Sequence, residues 1–128
     1  MREFAFSQFW IVMTVIVTTV AVSLLVLPLK GPSGGIDLSL LKHLIGFCGL
    51  TGWFCGIMSR QRWPLVIVAM VLLAGSSEIV QWLTNFGRVG DWMDLLANFC
   101  GIALGLFLSL RGFEHWATWT DRFMVQFR

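Results

Sequence analysis

Residues 91–110 read DWMDLLANFCGIALGLFLSL, and this stretch decides the fold. It is as long as the roughly 20 mostly apolar residues that a helix needs to cross a bilayer. Its two charges, Asp91 and Asp94, stand at its start, where a carboxylate suits the positive end of a helix. Asp94, Asn98, Gly101, Gly105 and Leu108 follow at steps of four, three, four and three, which is one helical face. One end of that face is polar and the other is small. Gly101 and Gly105, four apart, let a second helix come close in a medium where hydrophobicity cannot drive helices together.

Working outward, the same grammar repeats. Residues 63–84 are apolar and carry Gly75, Glu78 and Gln81 along one stripe, with Pro64 in the first turn, where its missing N–H costs little. Residues 38–58 carry Lys42, Gly46, Gly49 and Gly56 on one face, with Gly52 four residues before Gly56. Residues 9–29 form a further apolar run. It is longer than a leader's core and has only Arg2, offset by Glu3, ahead of it, so it reads as a retained span. The joints are rich in Gly, Pro and Arg: GPSGG at 31–35, RQR at 60–62 and NFGRVG at 85–90. The expected architecture is all-α: a polytopic membrane protein, a four-helix bundle with short loops, forming one domain over residues 1–128.

The tail, 111–128, differs in kind. Phe113, Trp116, Trp119, Phe123 and Phe127 recur at steps of three and four, beside a stripe of Arg111, His115, Thr118 and Arg122. This predicts an amphipathic helix lying in the membrane interface, or one packed on a partner subunit. His115 is read as an interfacial polar residue without chemistry.

Composition excludes several classes. Charged residues are 12% of the chain and apolar ones 57%, so no separate soluble enzyme fits within 128 residues. The net charge of +2 comes without a basic run, which argues against nucleic acid. Cys48, Cys55 and Cys100 are odd in number and lack CxxC spacing, so they read as small packing residues, with redox or zinc chemistry as the alternative. No cofactor and no metal is expected.

Orientation follows from Lys and Arg. Arg2, Arg60, Arg62, Arg111, Arg122 and Arg128 share one side with both termini, against Lys30, Lys42 and Arg88 on the other. The positive-inside rule puts both termini in the cytoplasm. Lys42, His43, Glu78, Gln81, Asp94 and Asn98 then all fall in the outer half of the membrane. Glu78 lies about six residues, or roughly 9 Å, from its helix end, and Asn98 is at a similar depth. Charges in hydrocarbon are costly, so they are normally paired, water-facing and functional. The three polar ends are expected to meet in an outward-opening pocket. Gln81 and Asn98 could instead be interhelical glue, Asp91 and Asp94 helix caps, and Lys42 a snorkelling cation. His43 points about 100° around its helix from Lys42 and need not share the pocket.

The joint pattern of Glu78 and Gln81, then Arg88, Asp94, Asn98, Gly101 and Gly105, behind a helix bearing Lys42 and His43, resembles the VanZ-like family. The resemblance spans about half the chain. It implies a small bacterial envelope protein of the inner membrane, with Glu78, Gln81, Arg88, Asp94 and Asn98 as the shared motif, and its namesake is associated with resistance to teicoplanin, a glycopeptide antibiotic. The chain departs from the family in that Lys42 abuts His43 directly and no Pro precedes Arg88.

Three functions follow. The first is binding of a membrane lipid or lipid-linked envelope ligand at the outer leaflet, with Arg88 and Lys42 on an anionic head and Glu78, Gln81, Asp94, Asn98 and His43 around it. The second is an enzyme on a lipid phosphate, with Glu78, Asp94 and His43 as acid and base, or Glu78, Asp94 and Asn98 around a divalent cation. No nucleophile signature supports that, and the reading leans away from catalysis. The third is a subunit of a larger assembly, as a homo-oligomer or with another membrane protein, held by the glycine faces at Gly46, Gly49, Gly52, Gly56, Gly101 and Gly105. No internal repeat or broken helix points to a transporter.

Overall fold

A computed structural model describes residues 4–26, 38–84 and 92–126. Four helices are long and apolar enough to span a membrane: α1 (Ser7–Val26), α2 (Leu38–Ile57), α3 (Trp63–Thr84) and α4 (Trp92–Leu110). A fifth, α5 (Trp116–Gln126), is short. Single 3-10 turns at Arg60–Arg62 and Phe113–His115 lead into α3 and α5. The described residues contain no strand. The result is an all-α, polytopic membrane protein whose spans start and end within three residues of those expected.

The glycines explain which helix is central. α2 is the most buried span, at 44% of its window against 11% for α1, and its largest interface is with α4. A Cβ on Gly101 would stand 2.5 Å from the Leu44 carbonyl oxygen, and one on Gly105 would stand 2.6 Å from that of Cys48. Only glycine allows so close a backbone approach, which in lipid is the main source of helix association. Gly46 faces Leu25 of α1, where a Cβ would meet Leu25 Cδ2 at 3.0 Å. Gly52 lies under Phe113 and Gly56 under the Trp116 indole, while a Cβ on Gly49 would meet no other part of the bundle within 4 Å. The inner core is Phe47, Leu50, Cys55, Trp63, Val66, Met70, Ala74 and Ile102, closed off by Leu25.

The tail folds back onto its own bundle. Gly112, at φ 109°, ends α4 in the left-handed conformation that glycine tolerates. The expected single aromatic stripe therefore splits. Trp116 turns inward, with ring centres 4.8 Å from Trp53 and 5.5 Å from Trp10, and its indole N–H donates to the Gly52 carbonyl at 3.4 Å. Trp119 and Phe123 remain exposed. Phe127 lies outside the described residues.

Asp121 of α5 locks this arrangement. Its carboxylate accepts from the backbone N–H groups of Ala5 at 2.9 Å and Phe6 at 3.4 Å, and from the Trp10 indole at 3.0 Å. The first N–H groups of a helix have no intrahelical acceptor, so a carboxylate from another helix serves there as a cap. Burial alone would raise the Asp121 carboxyl, but the bonds from Trp10, Ala5 and Phe6 outweigh it and hold it below the usual carboxylate range. Nearby, Glu114 is buried, with Arg60 Nε at 3.6 Å and His115 Nε2 at 3.6 Å.

Candidate functional site

The opposite end of the bundle gathers the polar ends of α2, α3 and α4. Each helix supplies groups one or two turns apart on the face its small residues turn inward. His43 stands at the centre and is fully buried. Its Nδ1 lies 2.8 Å from Asn98 Oδ1 and 4.0 Å from Glu78 Oε1. Its Nε2 lies 3.7 Å from Asp94 Oδ2. Asn98, also fully buried, donates through Nδ2 to Glu78 Oε1 at 3.3 Å. Ser39 donates to Asp94 Oδ2 at 3.0 Å.

These bonds have one consistent direction. Asn98 uses its amide N–H on Glu78, so its oxygen is left to accept, and His43 Nδ1 is the donor to it. The network runs from α2 to α4 and from α4 to α3. Asn98 thereby fixes the Glu78 carboxylate, and His43 fixes Asn98. An asparagine between an imidazole and a carboxylate can accept from one and donate to the other in a medium that offers no water.

Lys42 and Gln81 turn to α1. Lys42 Nζ donates to the Leu25 carbonyl at 3.0 Å, and Gln81 Nε2 donates to the same oxygen at 2.8 Å. The last carbonyls of a helix lack intrahelical donors, so these two side chains tie the peripheral helix to the bundle. One member that looked doubtful from helical phase, His43, is the hub, because the Gly101 and Gly105 approach brings α4 onto its face of α2. Ser39 escaped the sequence reading. A serine one turn before His43 in an apolar helix was the available signal.

The expected member Arg88 and the expected helix cap Asp91 lie outside the described residues. Among the described residues, no three His, Cys, Asp or Glu side chains are grouped so as to hold a metal ion. The polar ends do come together, yet His43 and Asn98 at their meeting point are sealed by packing and do not face an open pocket.

Beside this cluster runs an apolar groove of about 610 Å3 between α1 and α2. Val17, Val20, Ala21 and Leu24 line one wall, and Leu41 and Ile45 line the other. Lys42, one residue from His43, is the one charged residue of its lining among the described residues, and Gly46 helps to shape its floor.

No curated protein and no solved structure matches the chain. The VanZ/LLP1 family model does, over residues 4–113. That match takes in all four spans, the polar cluster and the groove beside it, and the chain belongs to the VanZ/LLP1 family.

Proposed function

We propose that this protein binds a lipid-linked or amphiphilic ligand at the extracytoplasmic leaflet of the bacterial inner membrane. The observation that carries the reading is the apolar α1–α2 groove, lined in part by Lys42, beside the buried cluster. An acyl or prenyl chain fits an apolar cleft open to the bilayer, and its head would meet Lys42 and Glu78. Glu78 is held by Asn98, and Asn98 by His43, so the latter two position the contact group. Arg88 joins through the family motif as a second cation for an anionic head. Both termini are assigned to the cytoplasm, on the strength of Arg60, Arg62, Arg111 and Arg122 at their end. A part in glycopeptide resistance, implied by the family resemblance, is the cellular counterpart.

The test is lipid identification on protein extracted with its native bilayer. One lipid species should be enriched over bulk membrane in the wild type. It should be lost in Ile45→Trp, which fills the groove, and in Lys42→Gln. Equal lipid content in all three would refute the proposal.

A second reading, an enzyme on a lipid phosphate or head group, draws on His43 standing between Glu78 and Asp94. A general base must come within hydrogen-bond reach of its substrate, and the complete burial of His43 favours binding over catalysis. Release of phosphate or head group by purified protein, lost in His43→Gln, would reverse that preference.

A further inference from the structure

The end of the bundle that carries the tail holds two neighbouring arginines with different fates. Arg60 is engaged: its Nε is 3.6 Å from Glu114 Oε2, and its guanidinium lies 5.2 Å over the Trp63 ring. Arg62 has no side-chain partner among the described residues. It borders a second apolar groove, of about 260 Å3, between the end of α2 and the start of α3. Phe54 and Met58 form one side, and Leu65, Val66, Ala69 and Met70 form the other. Leu65 and Ala69 are exposed, so the groove opens laterally toward hydrocarbon.

From this arrangement we infer a binding site for an anionic glycerophospholipid, with its phosphate on Arg62 and one acyl chain in the groove beneath. Charge complementarity selects the occupant. The two described carboxylates at this end are already engaged, Glu114 by Arg60 and His115, and Asp121 by Ala5, Phe6 and Trp10. Neither carboxylate pairs with Arg62, whose guanidinium at the mouth of the groove is therefore left to meet a phosphate. An arginine fork suits phosphate oxygens, and its stem can lie along the apolar wall while the head reaches the interface. A zwitterionic lipid would offer the same chain but bring its own cation to the arginine. The site is at the other end of the bundle from Lys42 and His43 and stands independently of the function proposed above.

Native mass spectrometry of the full chain in detergent, titrated with phosphatidylglycerol or phosphatidylcholine of identical acyl chains, tests it. One basic residue near a lipid surface is worth roughly five-fold in affinity. The wild type should therefore retain its first phosphatidylglycerol about five-fold better than phosphatidylcholine. Arg62→Gln should bring the two to parity. Ala69→Trp, which fills the groove and leaves the arginine, should lose retention of both. Arg122→Gln, an arginine at the same end outside the groove, should change nothing. Undiminished preference in Arg62→Gln would overturn the proposal. So would equal loss in Arg122→Gln, which would mean diffuse surface charge. A third overturning result is dimerisation lost in Ala69→Trp with lipid retention intact, which would make the groove a protein contact.

Discussion

Gly101→Ala should uncouple the bundle and the polar cluster together. The new Cβ would stand 2.5 Å from the Leu44 carbonyl oxygen, 3.0 Å from Phe47 Cβ and 3.1 Å from Cys48 N. Two of those neighbours are α2 backbone, which no side-chain rotation can move aside. Ordinary contact begins near 3.4 Å, so α4 must retreat from α2 by about 0.9 Å. His43 and Asn98 bridge the same two helices at 2.8 Å, one turn away, and a retreat of that size carries the bond out of range. Overpacking costs about 1–3 kcal/mol, and a lost interhelical bond in a bilayer costs about 0.6 kcal/mol. Gly49→Ala is the matched control, because its Cβ meets nothing within 4 Å. The intrinsic helix preference of alanine, about 1 kcal/mol, is common to both variants and cancels in their difference. Gly101→Ala should therefore be less stable than Gly49→Ala by about 1.5–3.5 kcal/mol in reversible unfolding from mixed micelles. Its His43 ring NMR signals should shift while those of Gly49→Ala stay in place. A stability difference under about 0.5 kcal/mol would refute close backbone packing as the organiser of this site.

Further outcomes follow from single contacts. Gln81→Leu removes one of two donors to the Leu25 carbonyl and should cost about 0.6–1.5 kcal/mol, read as easier cross-linking of α1 away from α3. Asp121 has a carboxyl held low in the folded protein, so its contribution is complete above the unfolded value of about 4 and is lost as pH falls through the lower folded value. Proteolysis of the tail should rise with acidification over that window, and Asp121→Asn should raise it at neutral pH and flatten the dependence. Asn98→Leu keeps the branched shape but cuts the link from His43 to Glu78, and should destabilise by about 1–3 kcal/mol. Gly56→Ala drives a methyl into the Trp116 indole, and should expel that ring and red-shift tryptophan emission.

Much of the fold was legible because lipid simplifies the rules. A backbone in hydrocarbon must satisfy itself, so an apolar run of sufficient length is a helix. The breaks at residues 60–62 and 111–112 carry their own signals in charge and in glycine. The site was legible as a set of residues at one depth, since Glu78, Asp94 and Asn98 are too costly in lipid to be filler. The tail was less legible. Its period of three and four marks a helix, but periodicity cannot tell an aromatic that faces lipid from one that fills the space above Gly56. Asp121 carries no local signal at all, because its partners Ala5, Phe6 and Trp10 lie at the far end of the chain.

By itself, then, the sequence determined the number of spans, their limits, the depth of the polar groups and which faces are small enough for close approach. These are local properties, set by 1.5 Å of rise and 100° of rotation per residue. Only the tertiary structure decided how the polar groups share their bonds. Helical phase gives each side chain a direction from its own axis but says nothing of the distance to the next axis. That distance is set where Gly101 and Gly105 meet the backbone of α2. It makes His43 the hub of the cluster, while the packing of α1 at Gly46 brings the Leu25 carbonyl to Lys42 and Gln81.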